Sequence, residues 1–241
     1  MILRKWDALP EEMRTDAVRP YYEALCKKRG SLLCKRIFDV VVSFLMLLVL
    51  LPVFMVLAIA IKLDSPGPVF YRQVRVTRYG KKFRIFKFRS MVSNADKIGT
   101  QVTVGNDSRI TRMGKLIRKC RLDELCQLID VLRGTMTFVG TRPEVPKYVE
   151  AYTPEMMATL LLPAGVTSLA SIMYKDEDRL LEGAEDVDGV YIRDILPDKM
   201  RYNLQAVKEF SFFGDIKLMF MTVFAVLGKD YSTDEKEDEA K

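Results

Sequence analysis

The stretch that decides the fold is VVVSFLMLLVLLPVFMVLAIAI, residues 40–61, in which no residue carries a charge. As an α-helix this run would extend for about 33 Å, which is enough to cross the hydrocarbon core of a bilayer. A buried helix of this length and apolarity would be unusual in a soluble protein. The stretch therefore predicts a helix inserted in a membrane.

Two features of this segment argue against a simple transmembrane helix. Pro52, preceded by Leu51, lies in its interior, where proline removes a helical hydrogen bond and bends a helix. Both flanks are basic, so by the positive-inside tendency both ends prefer the cytoplasmic side. We therefore expect a re-entrant helix over residues 35–64 that breaks at Leu51 and Pro52 and leaves by the face it entered; a plain transmembrane helix is the alternative. The basic flanking residues are Lys27, Lys28, Arg29, Lys35 and Arg36 before the run, and Lys62, Arg72, Arg75, Arg78, Lys81 and Lys82 after it.

Composition narrows the chemistry that the chain can perform. Its 241 residues carry a formal net charge of +6, which fits an anionic partner such as a nucleotide or an acidic membrane face. The absence of histidine rules out Ser-His-Asp and Cys-His sites, a histidine base and histidine-ligated zinc. The four cysteines form no CxxC pair, so we expect reduced thiols, each buried by default. The first residues show no pattern of a secretory signal peptide.

The second informative stretch is CRLDELCQL, residues 120–128, which sets Asp123 and Glu124 side by side in a basic and apolar context. Nearby cations lower carboxylate pKa values and would also attract phosphates. That combination suits a metal-assisted reaction at a phosphoryl centre. The alternative is a solvated helix with ion pairs such as Arg121 to Glu124. The surrounding cations are Arg109, Arg112, Lys115, Arg118, Lys119, Arg121, Arg133, Arg142 and Lys147.

The run between Gly114 and Gly134 contains no Gly or Pro and predicts helix, but its apolar pattern slips in phase between Cys120 and Leu122. A break there would put the acid pair in the first turn of a new helix. At such a position, backbone N–H groups and the helix dipole also favour phosphate.

The remaining segments predict a small domain. Apolar and basic residues alternate over residues 82–89, which is the period of a half-exposed strand, and Gly80 would lie in a hairpin turn before it. Residues 138–146 and 163–168 are punctuated by Gly and Pro and predict two loops. The apolar residues 215–227 are too few to span a bilayer and suit a helix lying in its interface.

These patterns predict an α+β fold that is mainly helical. We expect a re-entrant membrane helix, interfacial amphipathic helices and a small cytoplasmic domain with one short β-hairpin. The boundaries would be an N-terminal arm over residues 1–34, either amphipathic or partly disordered, the membrane helix over 35–64, the catalytic domain over 65–230, and an acidic tail over 231–241. The aromatic residues of 82–89 could instead stack on nucleic acid, but they follow the membrane segment too closely, and we expect no nucleic-acid partner.

Six short motifs in fixed order resemble the bacterial sugar transferases, the monotopic polyprenyl-phosphate phosphoglycosyl transferases. The resemblance covers roughly residues 35–228. The motifs are KRIFD at 35–39, SPGPVF at 65–70 with Gln73, FKFRSM at 86–91, GKLIR at 114–118, LDEL at 122–125 with Gln127 and Leu128, and FVGTRPE at 138–144.

The resemblance implies a reaction. A UDP-sugar would give its sugar 1-phosphate to a polyprenyl phosphate such as undecaprenyl phosphate, with release of UMP, at the cytoplasmic face of the inner membrane. Asp123 would be the nucleophile that forms a phosphoaspartyl intermediate and contacts Mg²⁺, and Glu124 would assist as a metal or acid–base neighbour. Lys87, Arg118 and Arg142 would bind the diphosphate. Membrane lipid is a further partner, and downstream glycosyltransferases would use the product.

Two departures from the family pattern stand out. The family often has Ser before the helix-breaking Pro, where this chain has Leu51. The chain also departs from the family over residues 163–171, and Lys175 stands near the position of a later family Arg. With Leu51, other groups must stabilise the kink. The change over residues 163–171 leaves the donor sugar open and keeps a second hypothesis, a catalytically silent scaffold of a glycan assembly complex.

Overall fold

The computed structural model describes residues 2–95, 107–175, 177, 186–229 and 231. The described part is mainly helical, with one antiparallel hairpin and one parallel strand pair, so the α+β expectation is confirmed at that level. The expectation for the tail falls on residues 231–241, of which all but 231 lie outside the described part.

The chain opens with two 3₁₀ turns, Trp6–Ala8 and Glu11–Met13, followed by helix α1, Arg19–Cys26. Helix α2 runs from Arg29 to Asp64 without interruption at Pro52 and begins six residues before the expected boundary. It is the one helix of the described residues long and apolar enough to cross a membrane. Only 11 % of its most apolar 18-residue window is buried, unlike the core helix of a soluble protein. The bend at Pro52 stays a prediction.

Both halves of α2 contact the same body. Near its start, Asp39 accepts from the Thr137 hydroxyl at 2.7 Å, and Arg36 donates to the carbonyl of Val131 at 2.7 Å. Near its end, Leu57 and Ile61 pack in a cluster with Phe88 and Ile117. Its remaining surface exposes large apolar side chains, among them Leu33, Ile37, Val41, Phe44, Leu45, Leu48, Val49, Leu51, Met55, Val56, Ile59 and Leu63.

The predicted hairpin is confirmed. Strand β1, Phe70–Thr77, pairs antiparallel with β2, Lys81–Phe88, in the register Phe70 to Phe88 and Thr77 to Lys81. A 3₁₀ turn, Arg78–Gly80, joins them, with Tyr79 at φ 61° and Gly80 at φ 69°. Left-handed backbone of this kind favours glycine, which explains Gly80 at the turn.

The predicted break before the acid pair is also confirmed. Helix α3, Arg112–Lys119, is followed by Arg121 at φ 54°, a left-handed position that ends helical propagation. Asp123 and Glu124 then lie in one 3₁₀ turn, Leu122–Glu124, immediately before helix α4, Gln127–Arg133. The new helical segment therefore starts with a 3₁₀ turn and not with an α-helical one.

The second half of the chain supplies a strand pair that was not predicted. Strand β3, Met136–Val139, pairs in parallel with β4, Ala164–Thr167. All of β4 and the second half of β3 lie in residues expected to be loop. The two strands are far apart in sequence, and each forms its backbone hydrogen bonds only when the other is beside it. Between and after them come α5, Pro146–Val149; a 3₁₀ segment, Met156–Leu161; α6, Leu169–Met173; α7, Val187–Val190; a π-helical turn, Tyr191–Ile195; α8, Leu196–Lys208; and α9, Phe212–Val226.

The N-terminal arm is packed into the domain. Leu25 and Met13 are fully buried in a cluster that also holds Leu161, Val207 and Phe210. The tyrosine hydroxyls add long-range ties, since Tyr22 donates to the carbonyl of Arg4 and Tyr21 donates to Glu155. The arm is therefore folded against the rest of the domain.

Helix α9 lies beside the start of α2. Phe38 and Phe212 meet edge to face at 5.7 Å, and Lys35 donates to Asp215 at 2.5 Å. No residue of α9 is buried, and its exposed side chains include Phe213, Phe220, Val223, Phe224 and Val226.

All four cysteines are free thiols. The expectation that each would be buried is wrong, because Cys34 and Cys120 are exposed and only Cys126 is buried.

Candidate active site

The acid pair occupies a turn that the fold buries. Asp123 is 8 % exposed, and the Glu124 side chain is 13 % exposed. The left-handed Arg121 redirects the chain so that the turn faces strand β2 and the loop after β3 and not solvent. Two carboxylates buried side by side require compensation from other groups.

Glu124 receives that compensation from two cations far apart in sequence. Lys87, near the end of β2, donates to Glu124 Oε1 at 3.1 Å. Arg142, from the loop after β3, donates through Nη1 to Oε2 at 3.1 Å and through Nη2 to Oε1. This is the two-pronged geometry that suits guanidinium and carboxylate groups. The side chain of Glu124 is therefore held by two elements at once.

These contacts determine the charge of Glu124. Burial raises the pKa of its carboxyl group, but Arg142 and then Lys87 outweigh that effect and hold the pKa well below its ordinary value. Burial lowers the pKa of Lys87, and Glu124 opposes that change. The expectation of an ionised carboxylate among cations is confirmed for Glu124.

Asp123 behaves in the opposite way. Burial raises its pKa, and the charges of Lys87 and Arg118 only partly offset the effect, while Glu124 adds to it. No ion pair joins its carboxylate to any other residue in the described ranges. The expected lowering of the pKa by nearby cations therefore does not occur at Asp123, because burial outweighs the charges of Lys87 and Arg118.

The solvated-helix alternative is also wrong. Glu124 pairs with Lys87 and Arg142, while the exposed Arg121 donates to the carbonyl of Lys175 at 3.3 Å. That bond brings Lys175, two residues after the end of α6, next to the acid-pair turn.

The other predicted residues fall in different places. Arg118 lies in the last turn of α3. Its charge partly opposes the rise that burial causes in the pKa of Asp123, so the two side chains are within electrostatic range. Leu51 and Pro52 are exposed on α2 and do not belong to the cluster.

The two Gly/Pro-rich motifs meet beside Glu124. Gly140 donates to the carbonyl of Thr167 at 2.9 Å, and Gly165 donates to that of Thr141 at 2.8 Å. A Cβ atom on Gly165 would lie 2.1 Å from the Gly140 carbonyl oxygen, so only glycine allows this approach. The approach brings Arg142 close enough for Nη1, which also donates to Glu124, to donate to the carbonyl of Val166 at 3.3 Å.

Sequence reasoning missed Arg75. It donates to the carbonyl of Pro143 at 3.1 Å and to Gln73 Oε1 at 2.7 Å, and its charge lowers the pKa of Lys87. The alternation of side chains along β1 is a signal for this residue, because Tyr71, Gln73 and Arg75 lie on one face of the strand. Tyr71 is opposite Lys87 in the β1–β2 register, so Arg75 lies on the same face of the hairpin as Lys87.

A divalent cation fits Asp123 better than Glu124. The described residues contain no group of three acidic, Cys or His side chains placed to hold a metal. Mg²⁺ is commonly bound through one or two carboxylates together with substrate phosphates, so a single unpaired carboxylate suffices. Glu124 would first have to leave Lys87 and Arg142.

Comparisons with known proteins find one matching family model and several related transferases. A family model described as "Bacterial sugar transferase" matches residues 30–229 of the chain. The UDP-glucose:undecaprenyl-phosphate glucose-1-phosphate transferase of Escherichia coli (strain K12) is 38 % identical over 219 residues, which cover 89 % of this chain and 44 % of the relative. The undecaprenyl-phosphate galactose phosphotransferase of Salmonella typhimurium is 33 % identical over 218 residues, covering 84 % of this chain and 42 % of the relative.

A third relative is closer in length. The exopolysaccharide production protein PSS of Rhizobium leguminosarum bv. phaseoli is 37 % identical over 204 residues, covering 82 % of this chain and 96 % of the relative. The chain thus spans less than half the length of the first two relatives and nearly all of the third. The names of the first two differ in the sugar.

Proposed function

Because the chain belongs to the bacterial sugar transferase family, we propose that it transfers a sugar 1-phosphate from a UDP-sugar to undecaprenyl phosphate and releases UMP. The product would be the first lipid-linked intermediate of a glycan, on which glycosyltransferases then act. The observation that carries the proposal is the buried Asp123 carboxylate, which has no ion pair within the described residues and adjoins the cationic cluster around Glu124.

In the first step, an oxygen of the Asp123 carboxylate attacks the phosphorus that bears the sugar. The bond from this phosphorus to the oxygen shared with the uridine phosphate breaks, and UMP leaves with that oxygen. Asp123 then carries the phosphosugar as an acyl phosphate. A raised pKa makes the ionised carboxylate of Asp123 a stronger base and a better nucleophile than an ordinary aspartate.

In the second step, an oxygen of undecaprenyl phosphate attacks the same phosphorus. The bond between Asp123 and phosphorus breaks, which regenerates the carboxylate and leaves a polyprenyl diphosphosugar. Lys87 and Arg142 would offset the negative charge of the phosphates in both steps, and Glu124 would hold these two cations in place. Arg118 would add positive charge on the Asp123 side.

Mg²⁺, bound by Asp123 and the diphosphate, would supply Lewis-acid stabilisation of the leaving phosphate. In this arrangement Glu124 contributes to the site through its ion pairs and not as a metal ligand.

We further propose that α2 enters and leaves the bilayer on the cytoplasmic side. One folded body contacts both the start of the helix, through Arg36 and Asp39, and its end, through Ile61. A helix that crossed the membrane would place these contacts on opposite sides. The exposed apolar faces of α2 and α9 would then lie in the lipid, with α9 along the interface.

Cysteine labelling in intact cells would test this topology. The exposed Glu12 and Lys82, which flank α2 in sequence, would each be replaced by cysteine in a chain whose own cysteines are serine. We expect both positions to resist a membrane-impermeant maleimide until the cells are opened. Labelling of Glu12→Cys in intact cells would show that α2 crosses the membrane.

The activity is tested by measuring UMP release from a panel of UDP-sugars with purified protein, Mg²⁺ and undecaprenyl phosphate. We expect one or a few donors to yield UMP with the wild type and none to do so with Asp123→Asn. If the wild type is silent across the panel while a relative of known activity turns over, the scaffold hypothesis replaces the transferase.

A further inference from the structure

Gln127 is a buried side chain whose polar atoms have no partner. It is the first residue of α4 and is 1 % exposed. Neither Nε2 nor Oε1 makes a hydrogen bond. Within the described residues, only Nε of Arg89 shares this condition, and the other Arg89 nitrogens donate to the carbonyls of Ser65 and Pro66. Gln127 is thus the one buried side chain there that is wholly unpaired.

An unpaired buried carboxamide is unfavourable in the free protein. Both atoms lose their bonds to water on folding and gain nothing in return. A methionine of similar length would avoid this loss, so packing alone does not explain a glutamine here. Such groups in folded proteins usually have a partner that arrives separately, as a water or a ligand.

The position of Gln127 indicates which ligand that is. It follows Asp123 by four residues and Glu124 by three, and long side chains near a helix start lean back over the preceding turn. Its carboxamide therefore lies near the acid pair. Glu124 is already bonded to Lys87 and Arg142, whereas the Asp123 carboxylate has no ion pair with a described residue.

Resting on the proposed function, we infer that Gln127 is a substrate-contacting residue whose Nε2–H group donates to an oxygen of the phosphoryl group while Asp123 carries it. The bond would form when the phosphosugar reaches Asp123 and would be lost when undecaprenyl phosphate removes it. Oε1 would accept from water that enters with the substrate. A neutral amide suits this place, since a second carboxylate would repel the phosphoryl oxygens.

The test compares Gln127→Met with the wild type in both stability and turnover. We expect the Tm of the purified protein to rise by about 2–8 °C, because two unpaired polar atoms are removed. We expect kcat for UMP release to fall by about 10- to 100-fold, because a hydrogen bond to a charged group is lost. The KM for the UDP-sugar should change by less than about threefold, since the bond is made as the phosphoryl group reaches Asp123 in the transition state and is absent from the bound donor.

Leu128→Met is the matched control. It introduces the same side chain at the next buried position of α4 and removes no polar group, so Tm and kcat should both stay near the wild-type values. Gln127→Glu should lower kcat at least as far as Gln127→Met, because it sets a negative charge against the phosphoryl oxygens.

Three outcomes would overturn the inference. A fall in Tm of Gln127→Met would show that the amide is already paired in the free protein and has a structural role. A rise in Tm with unchanged kcat would show that the unpaired amide does not serve the reaction. Full activity of Gln127→Glu would exclude contact with the phosphoryl group. Failure of the proposed function is separate, because the wild type itself would then release no UMP from any donor, whatever the Tm of the variants.

Discussion

At the scale of single residues, two adjacent carboxylates differ because their partners differ. Glu124 is bonded by Lys87 and Arg142, which hold the pKa of its carboxyl group well below the ordinary value. Asp123 is buried with no ion pair to a described residue, and its pKa is raised. Glu124 thus holds the two cations in place, and Asp123 has no counter-charge in direct contact within the described residues.

The pH dependence of turnover should follow Asp123. Its ionised form is the nucleophile, and burial raises its pKa above the ordinary value of 3.8. Activity should therefore be lost as pH falls through this raised pKa, and the acid limb of kcat/KM should lie above pH 3.8. The measurement is UMP release at saturating Mg²⁺ across a buffer series. An acid limb at or below the ordinary value would show that Asp123 is not the ionising group.

The variant Glu124→Gln tests whether Glu124 binds Mg²⁺ as Asp123 is proposed to do. Because Glu124 is bonded to Lys87 and Arg142, its loss should leave the Mg²⁺ concentration for half-maximal activity within about threefold of wild type, while loss of a true ligand costs tenfold or more. Its stability should fall by about 1–3 kcal/mol, since two cations lose their counter-charge and Arg142 is partly exposed.

The control for that variant is Glu23→Gln, which breaks an exposed pair with Arg19 and should change neither quantity. A tenfold rise in the Mg²⁺ requirement of Glu124→Gln would make Glu124 a ligand, as the family resemblance first implied.

At the scale of elements, α2 is joined to the domain by buried polar contacts at its start and by apolar packing at its end. Lys35 donates to the carbonyl of Val139 at 2.8 Å and to Asp215 of α9 at 2.5 Å. One lysine therefore links α2, β3 and α9.

Lys35→Met should destabilise the protein strongly. The lysine side chain is 3 % exposed, so its removal leaves Asp215 buried without a counter-charge, at a cost of about 3–5 kcal/mol. Thermal unfolding in detergent measures the loss. Adding Asp215→Leu should recover most of it, because both charges are then gone, while Lys62→Met at the exposed far end of α2 should have little effect. No recovery in the double variant would show that Lys35 acts mainly through Val139.

At the scale of the whole molecule, the folded unit is larger than the family match. That match begins at residue 30, yet Leu3, Leu9, Met13, Val18 and Leu25 are buried in one cluster with residues of the 3₁₀ segment Met156–Leu161 and of α8. The arm therefore contributes to the core of the domain that holds the site.

Leu25→Ala should lower the free energy of unfolding by about 2–5 kcal/mol, because the fully buried leucine would leave a cavity. Ile2→Ala is the control in the same arm, since Ile2 is 83 % exposed and its loss should change stability by less than about 0.5 kcal/mol. Equal stability of the two variants would mean that the arm is not part of the cooperative unit.

The sequence by itself determined the features that depend on local pattern. The long apolar helix, the hairpin at Gly80 and the break before Asp123 all follow from periodicity and from glycine or charge placement over a few residues. The motifs in fixed order also indicate the family without any knowledge of tertiary contacts.

Only the tertiary structure decided which groups meet. Lys87 and Glu124 are 37 residues apart, and Arg142 lies 18 residues beyond Glu124, so no local pattern could assign these cations to one acid and leave the other unpaired. The same holds for the β3–β4 pair, for the buried N-terminal arm and for the unpaired Gln127. The burial and the electrostatic partners of a residue depend on chain segments that come into contact with it only after folding.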